Sequence, residues 1–108
     1  MSRPVTVRSR ARIEILEQFY YYGENADLRT ANRFLASVER TANLISRYQG
    51  IGTACDFGIS ALKGVRRIPV RGFRQFILFY RTNDAGIDII VLYGARDIES
   101  IFREEERD

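Results

Sequence analysis

Histidine is absent from the 108 residues, and cysteine occurs once, as Cys55. There is therefore no imidazole base, no histidine-bearing triad and no histidine metal ligand. A single thiol cannot build an internal disulfide framework or a four-cysteine zinc site. With no leader-like segment either, the sequence points to the cytoplasm. No apolar run approaches the roughly 20 residues of a membrane span, and no membrane role is expected; the longest, such as 76–80, have five. Lysine is nearly missing as well, since sixteen of the seventeen cations are arginine. Acids are missing from two whole stretches. Residues 1–13 carry Arg3, Arg8, Arg10 and Arg12 and no acid, and residues 63–83 carry Lys63, Arg66, Arg67, Arg71, Arg74 and Arg81 and no acid.

What is there has a globular balance, 45% hydrophobic and 29% charged, which excludes a disordered chain. The length suits one domain spanning 1–108. Seven Phe and six Tyr supply much of a modest core. The net charge is +3, with acids gathered in the helical half and in a tail holding Glu104, Glu105, Glu106 and Asp108. A basic stripe of this kind suits nucleic acid, an acidic protein segment, or both; solvated sheet edges in an arginine-rich sequence look the same.

Val5 and Val7 alternate with Thr6 and Arg8, as in a half-buried strand. Ser9 is placed to cap the helix that follows. Ile13, Leu16 and Tyr20 share one helical face, which Ile15, Phe19 and Tyr22 extend sideways, and Gly23 is placed to end it. After a short polar connection, with Asn25 or Asp27 as cap, Ala31, Phe34, Leu35, Val38, Ala42 and Ile45 repeat at helical spacing. Two helices so closely joined run antiparallel. Residues 50–64 have no period and read as a loop with one turn of helix. Strands follow at 65–70 and 74–82, with Pro69 marking an edge or a bulge, then a turn at Asn83, Asp84 and Gly86 and a last strand at 87–93. Asp97 is placed to cap a short final helix with Ile98, Ile101 and Phe102. The expected fold is α+β: helices near 10–22 and 28–48 form a hairpin on one face of a mostly antiparallel sheet that also includes 4–8.

No phosphate loop, paired-cysteine spacing or nucleophile elbow occurs. Glu14 and Glu17 read as a solvated helix face, and Cys55 as an ordinary loop cysteine, so no residue is assigned as catalytic and no cofactor or metal is expected. The arginines remain. Arg66, Arg67, Arg74, Arg81 and Arg96 fall on or beside the C-terminal strands, with Arg66 and Arg67 on opposite faces by alternation. Guanidiniums on one surface would bind phosphate or carboxylate through paired N–H donors. Phe73, Phe76, Phe79, Tyr80 and Tyr93 are interleaved with them and read mostly as core.

The order and spacing of several short segments resemble the ParE/RelE superfamily of bacterial toxins. They are Arg8-Ser9-Arg10-Ala11, Ala31-Asn32-Arg33-Phe34-Leu35, Tyr48-Gln49-Gly50-Ile51-Gly52, Val65-Arg66-Arg67-Ile68-Pro69-Val70, Ile77-Leu78-Phe79-Tyr80-Arg81 and Tyr93-Gly94-Ala95-Arg96-Asp97. The Gly-Ile-Gly, Arg-Ile-Pro-Val and Gly-Ala-Arg-Asp pieces are similar to the ParE branch. That resemblance implies a plasmid-stabilising toxin that inhibits DNA gyrase by binding, held by a ParD-like antitoxin, with nucleic acid met only through antitoxin or target. The alternative is a RelE-type ribosome-dependent mRNA endoribonuclease, or a non-toxic member that only binds antitoxin. In the RelE pattern a Tyr follows the C-terminal Arg; here Arg96 is followed at that position by Phe102, which has no hydroxyl. The resemblance also implies that Arg66, Arg67, Arg74, Arg81 and Arg96 meet target or antitoxin, that Phe34, Leu35 and Tyr80 line an antitoxin groove, and that Arg96 pairs either with the antitoxin or with Asp97.

Overall fold

The computed structural model describes residues 2–94. Strand β1 (Val5–Val7) leads directly into helix α1 (Ser9–Asn25), which turns into helix α2 (Leu28–Arg47). A two-residue strand β2 (Thr53–Ala54) and a 3₁₀ turn (Ser60–Leu62) precede β3 (Arg66–Val70), β4 (Phe73–Asn83) and β5 (Gly86–Tyr93). The sheet order is β1-β5-β4-β3-β2. All neighbours are antiparallel except β1 and β5. This is the expected α+β arrangement, a helical hairpin against a mostly antiparallel sheet.

Four local readings are corrected. Ser9 is the first helical residue and not the cap, which is Arg8 with no side-chain cap bond. The chain has no spare residue there, because Arg8 still donates its N–H to Ile89 of β5 at 3.0 Å. Gly23 does not end α1. It keeps a negative φ, and the helix closes two residues later, where Ala26 N–H bonds the Tyr22 carbonyl. The Ile13–Leu16–Tyr20 face points outward; Ala11, Ile15 and Tyr22 face the core instead. Finally, the loop read over 50–64 hides β2, which pairs Thr53 with Arg67 and Ala54 with Arg66. The final helix expected from Asp97 lies outside the described residues.

Helix α2 follows its sequence closely. Asp27 caps it, accepting from Thr30 N–H at 2.7 Å. Ala31, Phe34, Val38 and Ile45 form its buried face. Phe34 sits in an aromatic cluster, 5.3–5.6 Å from the rings of Phe73, Phe76 and Tyr22. The register of β3 shifts between Pro69 and Val70, so the bulge reading of Pro69 holds.

Both faces of the sheet are covered near its centre. Val70, Phe73, Leu78, Tyr80, Ile87, Ile89 and Leu92 pack under the helices. Val65, Phe79, Ile90, Val91 and Tyr93 form a second cluster beneath Cys55, Phe57, Ile59 and Leu62. A bulge explains how β5 serves both: Phe79 faces Val91 and Tyr80 faces Ile89, which leaves Ile90 as the extra residue and resets the alternation.

Candidate functional site: the arginines and the groove beside β3

Register distributes the arginines before any ligand is considered. On β3, Arg66 stands opposite Tyr80 and Arg67 opposite Phe79. Tyr80 belongs to the helix-side core and Phe79 to the other. Adjacent arginines therefore leave the strand on opposite faces, as alternation requires.

Arg66 is occupied. Its Nη1 donates to the Gly52 carbonyl at 2.7 Å and reaches the Gly50 carbonyl at 3.5 Å. Tyr80 ties the same loop from below: its hydroxyl donates to the Gln49 carbonyl at 2.8 Å and accepts from Gly52 N–H at 2.9 Å. Gly52 fits only because it lacks a side chain. A Cβ there would stand 2.7 Å from the Tyr80 hydroxyl and 2.8 Å from the Arg67 carbonyl oxygen. Burial pushes the Tyr80 phenol above its usual pKa, against the pull of the Gly52 bond and the Arg66 charge.

Arg81 is occupied too, donating to the Ala61 carbonyl at 2.8 Å. Its register partner Asp88 is held instead by Arg8, at 2.7 Å. Arg67 is exposed on the far face beside Cys55. Burial raises the Cys55 thiol pKa more than Arg67 and Arg66 lower it. Arg74 is exposed and makes no hydrogen bond or ion pair among the described residues. Arg96 lies outside them. The four described arginines are thus not one surface: two brace loops, one faces away, and one stands free.

Of the apolar groove residues named from the sequence, Phe34 and Tyr80 have no exposed surface. They pack and brace the core, and only Leu35, half-buried on α2, keeps a reach to solvent. An open groove does exist elsewhere. Between α2 and the β3–β4 turn, Leu44, Ile51, Ile68, Pro69 and Val70 line a space of about 470 Å³ rimmed by Arg71, Gly72 and Arg74. β2 covers β3 only at Arg66 and Arg67, so the rest of that edge lies open to the groove. The turn is fixed to α2: Arg71 N–H bonds the Thr41 hydroxyl at 3.3 Å, and Gly72 takes a φ of 80°. Arg33, 5.5 Å above the Phe73 ring, adds a further cation to this end of the molecule. An apolar floor with unpaired guanidiniums at its rim can hold an amphipathic segment bearing carboxylates. Arg71, Leu44 and Ile51 were missed as site residues. The available signal was Ile51, an apolar side chain between two glycines.

No helix among the described residues is long and apolar enough to cross a membrane. The family model described as the ParE toxin of the type II toxin–antitoxin system parDE matches residues 5–98. A chain of a solved structure, the chromosomal ParDE toxin–antitoxin system from P. aeruginosa, superimposes with a TM-score of 0.71 at 12% identity, over 88% of this chain and 98% of that one. At that identity the likeness speaks to the fold alone. No curated protein matches the sequence significantly.

Proposed function

The chain belongs to the ParE toxin family of type II toxin–antitoxin systems, and from that premise we propose that it acts by binding DNA gyrase and is neutralised by a cognate ParD-like antitoxin. The observation that carries the reading is the family match across residues 5–98. With it go a single toxin domain over 1–108, a bacterial cytoplasm as the place of action, and plasmid stabilisation as the benefit to its carrier. The side chains support a binding mode of action. Arg66, Tyr80 and Arg81 are spent on loop carbonyls, so they stiffen a scaffold. The groove rimmed by Arg71 and Arg74 suits an antitoxin segment whose apolar side chains lie on Leu44, Ile51 and Ile68 and whose carboxylates meet the guanidiniums.

A supercoiling assay with purified gyrase tests the reading. The chain is expected to inhibit supercoiling, and an equimolar antitoxin to relieve it. No inhibition at high excess, or cut messenger RNA on ribosomes, overturns gyrase as the target. For the groove, Arg71→Ala with Arg74→Ala is expected to weaken antitoxin binding by about 1–3 kcal/mol, less at high salt. Unchanged affinity would move the antitoxin elsewhere.

A further inference from the structure

Helix α1 carries a second apolar stripe that the core does not use. Ile13, Leu16 and Tyr20, spaced three and four residues apart, are 55%, 42% and 62% exposed. Ala11, Ile15 and Tyr22, on the opposite side, already anchor the helix to the sheet. A contiguous apolar stripe left in water marks a contact surface, because covering it is favourable and exposing it is not.

The charges along α1 say what covers it. Arg8, Arg10 and Arg12 crowd its start, with no acid before Glu14. From Ile13 to Leu28 there is no Lys or Arg, and Glu17 and Glu24 are exposed. The first turn has no acid and the last turn no base. That order is the reverse of what the helix dipole favours, so it does not serve the helix by itself. It is, however, self-complementary.

We propose that this face pairs two copies of the chain, α1 against α1, antiparallel about a twofold axis near Leu16 and Glu17. Ile13 of one copy then meets Tyr20 of the other, the two Leu16 side chains meet at the axis, and Arg10 comes level with Glu24 at both ends. Parallel pairing would set like charges together. Arg10 reaches Glu14 through Nε at 3.9 Å, a loose contact that does not bar its guanidinium from Glu24 of the other copy. The two Glu17 carboxylates lie near the axis on the flank of the stripe, where their repulsion keeps the pairing weak and reversible. The contact is isologous, so every substitution acts twice.

Sedimentation velocity on the free chain, from about 1 to about 100 μM, spans the range in which such a pairing is read. A concentration-dependent monomer–dimer equilibrium is expected. Leu16→Glu is expected to raise the dissociation constant ~10-fold or more without changing the circular dichroism. Glu24→Lys is expected to raise it several-fold, with a smaller effect at high salt. If Leu16→Glu disturbs the fold, Tyr20→Ser replaces it, at the most exposed position of the three. A chain that stays monomeric throughout overturns the proposal. So does a dimer indifferent to these stripe substitutions, or one that they dissolve but Glu24→Lys leaves intact. Antitoxin binding abolished by Leu16→Glu in a monomeric chain assigns the stripe to the antitoxin. None of these results bears on gyrase, so the proposed function stands or falls separately.

Discussion

Tyr80 spends one hydroxyl on two bonds, donating to Gln49 and accepting from Gly52. Tyr80→Phe keeps the ring and its packing but leaves a carbonyl and an N–H unmet beside a buried ring. Loss of about 1–3 kcal/mol is expected, measured by urea unfolding. The lost stability should come with a loosened 49–52 loop, because Arg66 at the Gly52 carbonyl and Arg3 at the Gln49 side chain are then left to tie it down. Cys55 is governed by a different balance. Burial pushes its thiol up, while Arg67 and Arg66 pull it down by less, so its thiolate fraction near neutrality is below that of a free thiol. Alkylation at pH 8 followed by mass spectrometry should run slower than for free cysteine. Arg67→Ala should slow it further, since an opposing cation is lost. A rate above free cysteine would contradict the assigned balance.

Among the elements, α2 depends most visibly on a single cap. Asp27 accepts from Thr30 N–H, and that bond, with the Thr30 side chain and Arg33 nearby, lowers its carboxyl pKa. A depressed folded pKa means the contribution is whole above the usual aspartate range and fades as pH falls through the folded value. Asp27→Ala should lower the thermal midpoint at neutral pH. Asp27→Asn should hold it while flattening the loss in acid, because asparagine caps without titrating. The same helix shows why its sequence could be read. Asp27 and the single ladder of Ala31, Phe34, Val38 and Ile45 leave one side to bury. Helix α1 could not be read so, because it has two apolar stripes and periodicity alone does not say which faces the sheet. β2 escaped because two residues carry no pattern. For the arginines, alternation correctly split Arg66 from Arg67. It could not foresee that Gly50 and Gly52 would return beneath Arg66, since that contact joins residues far apart along the chain.

At the scale of the whole molecule, the N-terminal segment is a clasp. Arg3 N–H bonds the Ser46 carbonyl at the end of α2. Its guanidinium reaches the Asn83 and Asp84 carbonyls at 2.6 and 3.2 Å. Ile87 N–H bonds the Pro4 carbonyl at 2.8 Å. Gly86 permits that approach: it takes a φ of 145°, and a Cβ there would collide with the Pro4 carbonyl oxygen. Gly86→Ala should therefore cost about 1–3 kcal/mol. It should also speed amide exchange selectively in β1, read by mass spectrometry; a loss of stability without that signature would place the strain elsewhere. The clasp also fixes a timetable. Residues 5–7 are synthesised well before residues 86–93, which form their strand partner β5. Until translation has passed β5, the opening segment has no bed to lie in and the sheet stands open on that side. A chain cut short before Gly86 lacks the strand that joins β1 to β4, so it is expected to show no cooperative urea transition by circular dichroism.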